Sequence, residues 1–176
     1  FPKTFTTHTY TGASVPQILS NASIYDDYEK PKISLIDVLN QAKIPTVWIG
    51  NQTPEKSYLP FIESSVKRIF VDPTHSEFSF NKALDEIMLP EFQKEFKSNQ
   101  AQFMLIHMMG SHWYYENRYP IEFQKFKPVI QSKYIPSNSP ESMINSYDNT
   151  LIYMDYFVNE IIQRYEFILS RHTVFE

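Results

Sequence analysis

Hydrophobic residues recur at helical spacing in three segments of the chain. These are residues 33–42, residues 81–97, where Pro90 is expected to interrupt the helix, and residues 142–165. In the last segment we predict that a single apolar stripe faces the core, formed by Ile144, Tyr147, Leu151, Met154, Val158, Ile161 and Tyr165. A shorter helix is predicted from about Gly12 to Ser20.

Short apolar runs between the helical segments predict buried strands at residues 45–50, 67–72, 102–110 and 167–170. Strands that alternate with helices indicate βαβ units and a mostly parallel sheet covered on both faces. The predicted fold class is therefore α/β. Residues 116–141 form a long connection without clear periodicity, and such a loop in a compact domain is often functional.

Length and composition restrict the classes of function. The 176 residues are enough for one domain with a substantial core. The net charge of -4, with scattered Lys and Arg, argues against a nucleic-acid partner. The absence of cysteine excludes disulfides, zinc-thiolate sites and a cysteine nucleophile. No apolar run approaches the ~18 to 20 residues that a membrane helix needs.

The three glycines lie where a strand or loop leads into the next element. Gly50 and Gly110 each close a strand-like run, and Gly12 opens the first predicted helix. Glycine also suits turns for conformational reasons alone. However, Gln52 and His112 follow two of these glycines closely, and ligands of open α/β sheets bind at the carboxyl ends of the strands.

Hydroxyl side chains crowd the start of the first predicted helix, among them Thr9 and Thr11. Such residues often cap a helix, but a helix amino terminus also favours a bound phosphate. A threonine there becomes a nucleophile only with a base or a metal to activate it. His107 lies inside a strand and is interpreted as a packed or hydrogen-bonded core residue. His112 is either a substrate or metal ligand or a structural residue. Lys56 either binds a phosphate or head group or is a solvated loop residue.

Four segments carry a family resemblance: "HTYTGASVP" (8–16), "WIGNQTPEK" (48–56), "HMMGSHWYYENRYP" (107–120) and "NSYDNTLIYMDYFVNEII" (145–162). In this order they resemble the catalytic domain of the phosphoethanolamine transferases, membrane-anchored enzymes of the alkaline phosphatase and sulfatase superfamily that include lipid A modifying and colistin-resistance enzymes. The resemblance spans nearly the whole chain. It implies an α/β/α sandwich with a mostly parallel central sheet.

The resemblance also implies the chemistry. Thr11 takes the place of the family's nucleophile and zinc ligand, and Thr9, Gln52, Lys56 and His112 are expected to contact the substrate head group. Zn²⁺ would be the cofactor and phosphatidylethanolamine the donor. The acceptor would be lipid A or the lipopolysaccharide core. The expected location is the periplasmic face of the bacterial inner membrane.

The chain departs from the family pattern at the zinc ligands. The family's upstream Glu would precede Phe1, and "RHTVFE" stands where Asp-His-Gly-Glu is expected after residues 167–170. We interpret residues 1–176 as a single soluble catalytic domain that is partial, lacking the membrane region and some metal-site segments. A stretch is expected to be absent between Ser170 and Arg171, unless Arg171 and His172 are a degenerate remnant.

Two other functions stay open at this stage. One is a hydrolase of the same superfamily, a phosphodiesterase or a sulfatase, although the Cys/Ser-x-Pro-x-Arg context of sulfatases does not occur near Thr11. The other is a metal-free domain that binds lipid head groups without catalysis, for which the missing Asp-His pair is the argument.

Overall fold

The structure is a computed structural model that describes residues 8–23, 25–26, 33–54, 56–75, 80–97 and 99–172, with side chains described as far as residue 166. These residues contain the helices α1 (Thr11–Ile18), α2 (Leu35–Gln41), α3 (Leu59–Ser64), α4 (Leu89–Glu95) and α5 (Pro140–His172). They also contain the strands β1 (Thr46–Gly50), β2 (Lys67–Phe70) and β3 (Phe103–His107). Thr6, Thr7 and residues 173–176 lie outside the described part of the chain.

The three strands form a parallel sheet in the order β2-β1-β3. The ladder continues past the strand ends, since the Asn51 N–H donates to the His107 carbonyl at 2.9 Å and the Val71 N–H to the Gly50 carbonyl at 3.0 Å. The central strand β1 is buried along its whole length, as expected for a continuous apolar run in a parallel sheet. The predicted α/β class is confirmed.

The chain divides into two compact units. The described residues of the first lie within Phe1–Trp48, Pro54–Ile69 and Gln100–Leu105, and those of the second within Ile49–Thr53, Phe70–Asn99 and Ile106–Glu176. In the first unit, Ser34 caps α2 by accepting hydrogen bonds from two backbone N–H groups. The fully buried Trp48 stacks on Tyr58, with ring centroids 6.3 Å apart. The stacking of Trp48 on Tyr58 packs the residue before α3 against β1.

In the second unit a 3₁₀-helix, Asp85–Met88, leads directly into α4. The predicted helix at residues 81–97 is thus shorter, and Pro90 lies in the first turn of α4. A proline is tolerated there because the first N–H groups of a helix have no partner within it. The change from 3₁₀ to α geometry occurs next to the position where an interruption was predicted. The helix α3 has no counterpart in the sequence prediction.

The predicted core-facing stripe of α5 is wrong. Ile144, Tyr147, Met154, Val158 and Tyr165 are each at least 37% exposed. As far as residue 166, the side chains that α5 buries are Ser142, Ser146, Asn149, Thr150, Tyr153 and Phe157. Most of these precede a predicted core position by one residue, so the buried face is rotated by about 100° about the helix axis.

Two of the buried polar residues of α5, Ser146 and Asn149, satisfy backbone groups of the connection before it. The Ser146 hydroxyl accepts the Ile130 N–H at 3.0 Å. The Asn149 carboxamide oxygen accepts the N–H groups of Lys125 and Phe126, both at 2.9 Å. The connection has only short 3₁₀-helices of its own, so its backbone needs these partners. Its hydrogen bonds therefore decide which face of α5 is buried.

The predicted strand at residues 167–170 is also wrong, because α5 continues through it to His172. A short apolar run does not by itself distinguish a strand from a buried turn of helix. No glycine or proline occurs between residues 141 and 167 to end the helix. Within the part of the chain that the structure describes, no helix combines the length and the hydropathy required to cross a bilayer.

Candidate active site

The predicted site residues fall in both units. Thr9, Thr11 and Lys56 belong to the first unit, and Gln52 and His112 belong to the second. Each group is described within its own unit. The structure brings Gln52 and His112 onto two neighbouring segments of the second unit, as shown below.

Thr11 is the first residue of α1 and is half-buried. Tyr10 precedes it in an extended conformation, and its carbonyl accepts the N–H groups of Ala13 at 3.2 Å and Ser14 at 3.0 Å. The Ser14 hydroxyl donates to the His8 carbonyl at 3.1 Å and so ties the preceding residues to the helix. Among the clustered hydroxyls, Ser14 therefore has a structural role. Thr11 stands at the positive end of the helix dipole.

The other two predicted residues of the first unit lie at the surface. Thr9 is exposed, two residues before the start of α1. Lys56 is exposed in the turn that leads to α3. An exposed ammonium on a flexible stem is able to follow an anionic ligand, because little structure has to move with it.

Gln52 is 2% exposed and follows β1 directly. Its amide nitrogen donates to the Met108 carbonyl at 3.0 Å and lies 2.6 Å from the His107 imidazole Nε2. His107 is therefore hydrogen-bonded, as the sequence predicted. Because these two contacts engage the amide nitrogen, the carboxamide oxygen is the atom of Gln52 with which a ligand would interact.

Asp85 links the segments that follow β1 and β3. One carboxylate oxygen accepts the Asn51 side-chain amide at 2.8 Å and the Met109 N–H at 2.7 Å, and the other accepts the Gly110 N–H at 2.8 Å. Asn51 continues the network, since its carboxamide oxygen lies 2.6 Å from the His75 Nδ1 atom. Asp85 therefore joins Asn51, which precedes Gln52, to Met109 and Gly110 in the turn before His112.

Arg118 is 1% exposed and holds the same turn from the other end. Its guanidinium donates to the carbonyls of His112 and Trp113, both at 3.0 Å, and to the Asn81 carbonyl at 2.9 Å. Burial raises the pKa of Asp85, and the hydrogen bonds from Asn51, Gly110 and Met109 and the charge of Arg118 oppose this rise. Burial lowers the pKa of Arg118, and the charge of Asp85 opposes that change.

Ser111 anchors the turn to α5. Its hydroxyl lies 2.6 Å from the Thr150 hydroxyl, which itself donates to the Tyr147 carbonyl at 2.6 Å. Because a hydroxyl has one hydrogen to donate, Ser111 donates to Thr150. The residue before His112 is therefore fixed as well, and His112 stands half-buried on a turn held on both sides.

Sequence reasoning missed Asp85 and Arg118 as parts of this site. Asp85 and Glu86 interrupt the otherwise apolar run at residues 83–89, and an acidic residue in such a run is a signal for a buried, hydrogen-bonded carboxylate. Arg118 is part of the quoted "RYP" run but was assigned no role. Both act on residues that are distant in sequence, so local patterns do not reveal their partners.

The described residues contain no group of three His, Cys, Asp or Glu side chains placed to hold a metal ion. Thr11 is thus the sole predicted zinc ligand within the described ranges, and the prediction that it binds zinc stays untested. The site residues present supply amide, hydroxyl and imidazole groups and one exposed ammonium.

The polar side chains that gather after the carboxyl ends of β1 and β3 lie at the edge of the sheet where open α/β proteins commonly bind ligands. Residues 1–167 match the Sulfatase family. The chain belongs to the sulfatase family.

The comparisons with individual proteins agree. The chain is 34% identical over 167 residues to "Phosphoethanolamine transferase EptA" of Helicobacter pylori, covering 90% of this chain and 30% of that relative. It is similar to the soluble domain of "Lipooligosaccharide phosphoethanolamine transferase A" from Neisseria meningitidis, with a TM-score of 0.71 and 27% identity over 88% of this chain and 47% of that one.

A third similar protein is the C-terminal periplasmic domain of EcEptC from Escherichia coli in complex with Zn, with a TM-score of 0.69 and 25% identity over 89% of this chain and 45% of that one. The chain thus spans about a third of the curated relative and about half of each solved domain. The resemblance to phosphoethanolamine transferases that the motifs indicated is confirmed.

Proposed function

We propose that this chain is part of a single catalytic domain that transfers phosphoethanolamine from phosphatidylethanolamine to lipid A or the lipopolysaccharide core. The observation that carries the proposal is the position of Thr11 as the first residue of α1, in the segment that aligns with the family's nucleophile. The similarity to EptA of Helicobacter pylori along 90% of the chain supports the reaction class. The similarity to a lipooligosaccharide transferase supports a glycolipid acceptor.

The proposed reaction has two steps. The Thr11 hydroxyl oxygen forms a bond to the donor phosphorus, the bond from phosphorus to the diacylglycerol oxygen breaks, and the threonine proton ends on the released diacylglycerol. An acceptor oxygen then forms a bond to this phosphorus, the bond from phosphorus to the Thr11 oxygen breaks, and the acceptor's proton returns to Thr11. The amino terminus of α1 favours the negative charge on the transferred group, because its backbone N–H groups and the helix dipole point there.

Thr9, Gln52, Lys56 and His112 are the residues that we propose to contact the head group. Lys56 is exposed and carries the positive charge that a phosphate attracts. Gln52 offers its carboxamide oxygen, which suits the ethanolamine ammonium as a hydrogen-bond acceptor. His112 lies on a turn whose backbone is hydrogen-bonded on both sides. Such a fixed side chain is suited to orienting a bound group.

Zinc is the cofactor that we propose, with Thr11 as a ligand. A zinc site takes four ligands, or three and a water. The residues present in the described part of the chain do not form such a set, since no group of three metal-ligating side chains occurs there. Further ligands would have to come from elsewhere in the protein. The zinc complex of the similar EcEptC domain supports the choice of metal.

The periplasmic face of the inner membrane is the location that we propose. The similar EcEptC domain is periplasmic by its description, and the proposed donor and acceptor are both membrane lipids. The membrane tether would belong to a part of the protein outside this sequence. Phosphatidylethanolamine and the glycolipid acceptor would then reach the domain at the membrane surface.

The proposal is tested by Thr11→Ala in the full-length protein, with a fluorescent phosphatidylethanolamine and a glycolipid acceptor. We expect transfer to be abolished while the fold stays stable. Thr74→Ala is the matched control, because Thr74 is exposed and hydrogen-bonds only within its own loop, to Asp72. Full transfer by the Thr11→Ala protein would refute the role of Thr11.

The same assay separates the alternatives. Quantifying the acceptor product and free phosphoethanolamine distinguishes a transferase from a phosphodiesterase, which passes the group to water. A protein that binds the donor lipid but forms neither the acceptor product nor free phosphoethanolamine would be a binding domain. The absence of a metal-ligand group among the described residues is the observation that keeps this last function under test.

A further inference from the structure

Two buried charged side chains hold the turn that carries His112. Asp85 accepts the N–H groups of Met109 and Gly110, at 2.7 and 2.8 Å. Arg118 donates to the carbonyls of His112 and Trp113, both at 3.0 Å. The backbone of residues 109–113 is thus hydrogen-bonded before His112 by Asp85, and at and after His112 by Arg118.

The conformation of Gly110 shows why the turn needs support. Its φ angle is +57°, in the left-handed region that other residues rarely adopt, although a Cβ at this position would meet nothing within 4 Å. Glycine populates many backbone conformations, so the sequence alone does not hold this one. The carboxylate of Asp85 selects it by fixing the N–H groups of Met109 and Gly110 at the same time.

The hydrogen bonds to the turn come from two charged side chains, at a place where neutral groups would stabilise the fold at lower cost in desolvation. A buried charge loses its hydration, and a well-packed apolar replacement of buried charged groups is often equally stable. Asp85 is 2% and Arg118 is 1% exposed. Asp85 bonds three donors, and Arg118 bonds three carbonyls. Neutral side chains of similar size do not offer this number of directed bonds. The arrangement therefore favours a fixed geometry over stability alone.

We propose that Asp85 and Arg118 are positioning residues that set the orientation of His112 toward the phosphoethanolamine head group. This inference rests on the proposed function. It assigns the two residues no contact with substrate, and their effect on transfer passes through His112.

The test compares Asp85→Asn, His112→Ala and the double variant in the full-length protein. In Asp85→Asn the amide nitrogen faces an N–H donor, so the grip on Gly110 is lost at nearly unchanged volume. We expect kcat/KM for phosphatidylethanolamine to fall by about tenfold to a hundredfold, the range expected for a misplaced binding group. In the His112→Ala background the same change should lower it less than about threefold.

Ser146→Ala is the control, because Ser146 is fully buried and bonds the connection at Ile130 but not residues 109–113. It should lower thermal stability and leave kcat/KM unchanged at temperatures well below unfolding. Arg118→Lys should act like Asp85→Asn, since an ammonium cannot reproduce the guanidinium fork. Equal losses from Asp85→Asn in both backgrounds, or unchanged kcat/KM despite lower stability, would overturn the proposal.

A wild-type protein without any transferase activity would refute the proposed function instead. The grip is then judged by amide hydrogen exchange at Gly110 and by the imidazole resonances of His112. Asp85→Asn should accelerate that exchange and shift those resonances, and Ser146→Ala should do neither. Identical spectra for wild type and Asp85→Asn would contradict the positioning role, whatever the enzyme's reaction.

Discussion

Asn149→Ala should destabilise the chain strongly, because this one side chain organises much of the connection before α5. Its carboxamide oxygen accepts the N–H groups of Lys125 and Phe126, and its nitrogen donates to the Phe126 carbonyl at 3.0 Å. The residue is fully buried. Truncation to alanine removes these three bonds and a longer fourth one, to the Tyr119 hydroxyl at 3.4 Å, and brings no new partner for the backbone groups.

The magnitude follows from the number of bonds. At a net contribution of about 1 kcal/mol each, the three bonds give about 3 kcal/mol. Alanine favours the helix by at most about 0.7 kcal/mol relative to asparagine, so the free energy of unfolding should fall by about 2 to 3 kcal/mol. For a chain of this size, that lowers the Tm by roughly 4 to 12 °C.

Asn145→Ala, one turn earlier on α5, is the matched control. Asn145 makes one bond to the same connection, donating to the Pro128 carbonyl at 3.0 Å at an exposed position. The helix-propensity gain is the same, so this variant should stay within about 0.5 kcal/mol of wild type. Urea-induced unfolding followed by circular dichroism measures both. A difference between the two variants below about 1 kcal/mol would refute the account of how α5 is docked.

Three further outcomes are expected. Phe157→Ala should lower the free energy of unfolding by about 3 to 5 kcal/mol, and Val158→Ser, at an exposed position, by less than about 0.5 kcal/mol. If Val158→Ser instead had the lower urea midpoint, the buried face of α5 would be the one that the sequence predicted. Gly110→Ala should cost about 1 to 2 kcal/mol through strain at positive φ, and calorimetry showing no loss would contradict this. The pKa of Asp85 is raised from 3.8 in the folded state, so folding takes up protons there. Relative to Asp85→Asn, wild-type stability should therefore fall as pH rises through that pKa, and a rise in urea titrations would contradict the direction.

The sequence was sufficient to locate the three strands and most helices, although it also predicted a strand at residues 167–170 that is part of α5. The runs at residues 45–50, 67–72 and 102–110 all contain strands at the predicted places. Of the three described strands, only β1 is buried along its whole length, as a continuous apolar run predicts. The predicted burial of the other two strands is wrong, because β3 is half-buried and β2 begins with two exposed residues. The glycines that end β1 and follow β3 also marked the edge of the sheet where the polar residues gather.

The buried face of α5 could not be predicted in the same way. Hydrophobic periodicity assumes that burial follows apolar character. Ser146 and Asn149 are buried because an irregular connection, distant in sequence, brings unpaired backbone groups to them. Asp85 escaped prediction for the same reason, since its partners Asn51 and Gly110 lie on other segments.

The candidate nucleophile came from a motif and not from local chemistry. A threonine at the start of a helix is commonly a cap, and only the order of four motifs along the chain indicated another role for Thr11. The structure describes α1 beginning at Thr11, which agrees with that motif. The N-cap residue of α1 is Tyr10, so Thr11 is not the cap of this helix.

The account is tested most directly by trapping the intermediate. The full-length protein is incubated with phosphatidylethanolamine in the absence of acceptor, quenched, digested and analysed by mass spectrometry. We expect phosphoethanolamine to be attached to the peptide that contains Thr11, at Thr11 itself, and to be missing from the Thr11→Ala protein. Attachment at another residue, or donor turnover with Thr11 unmodified throughout, would contradict the central claim.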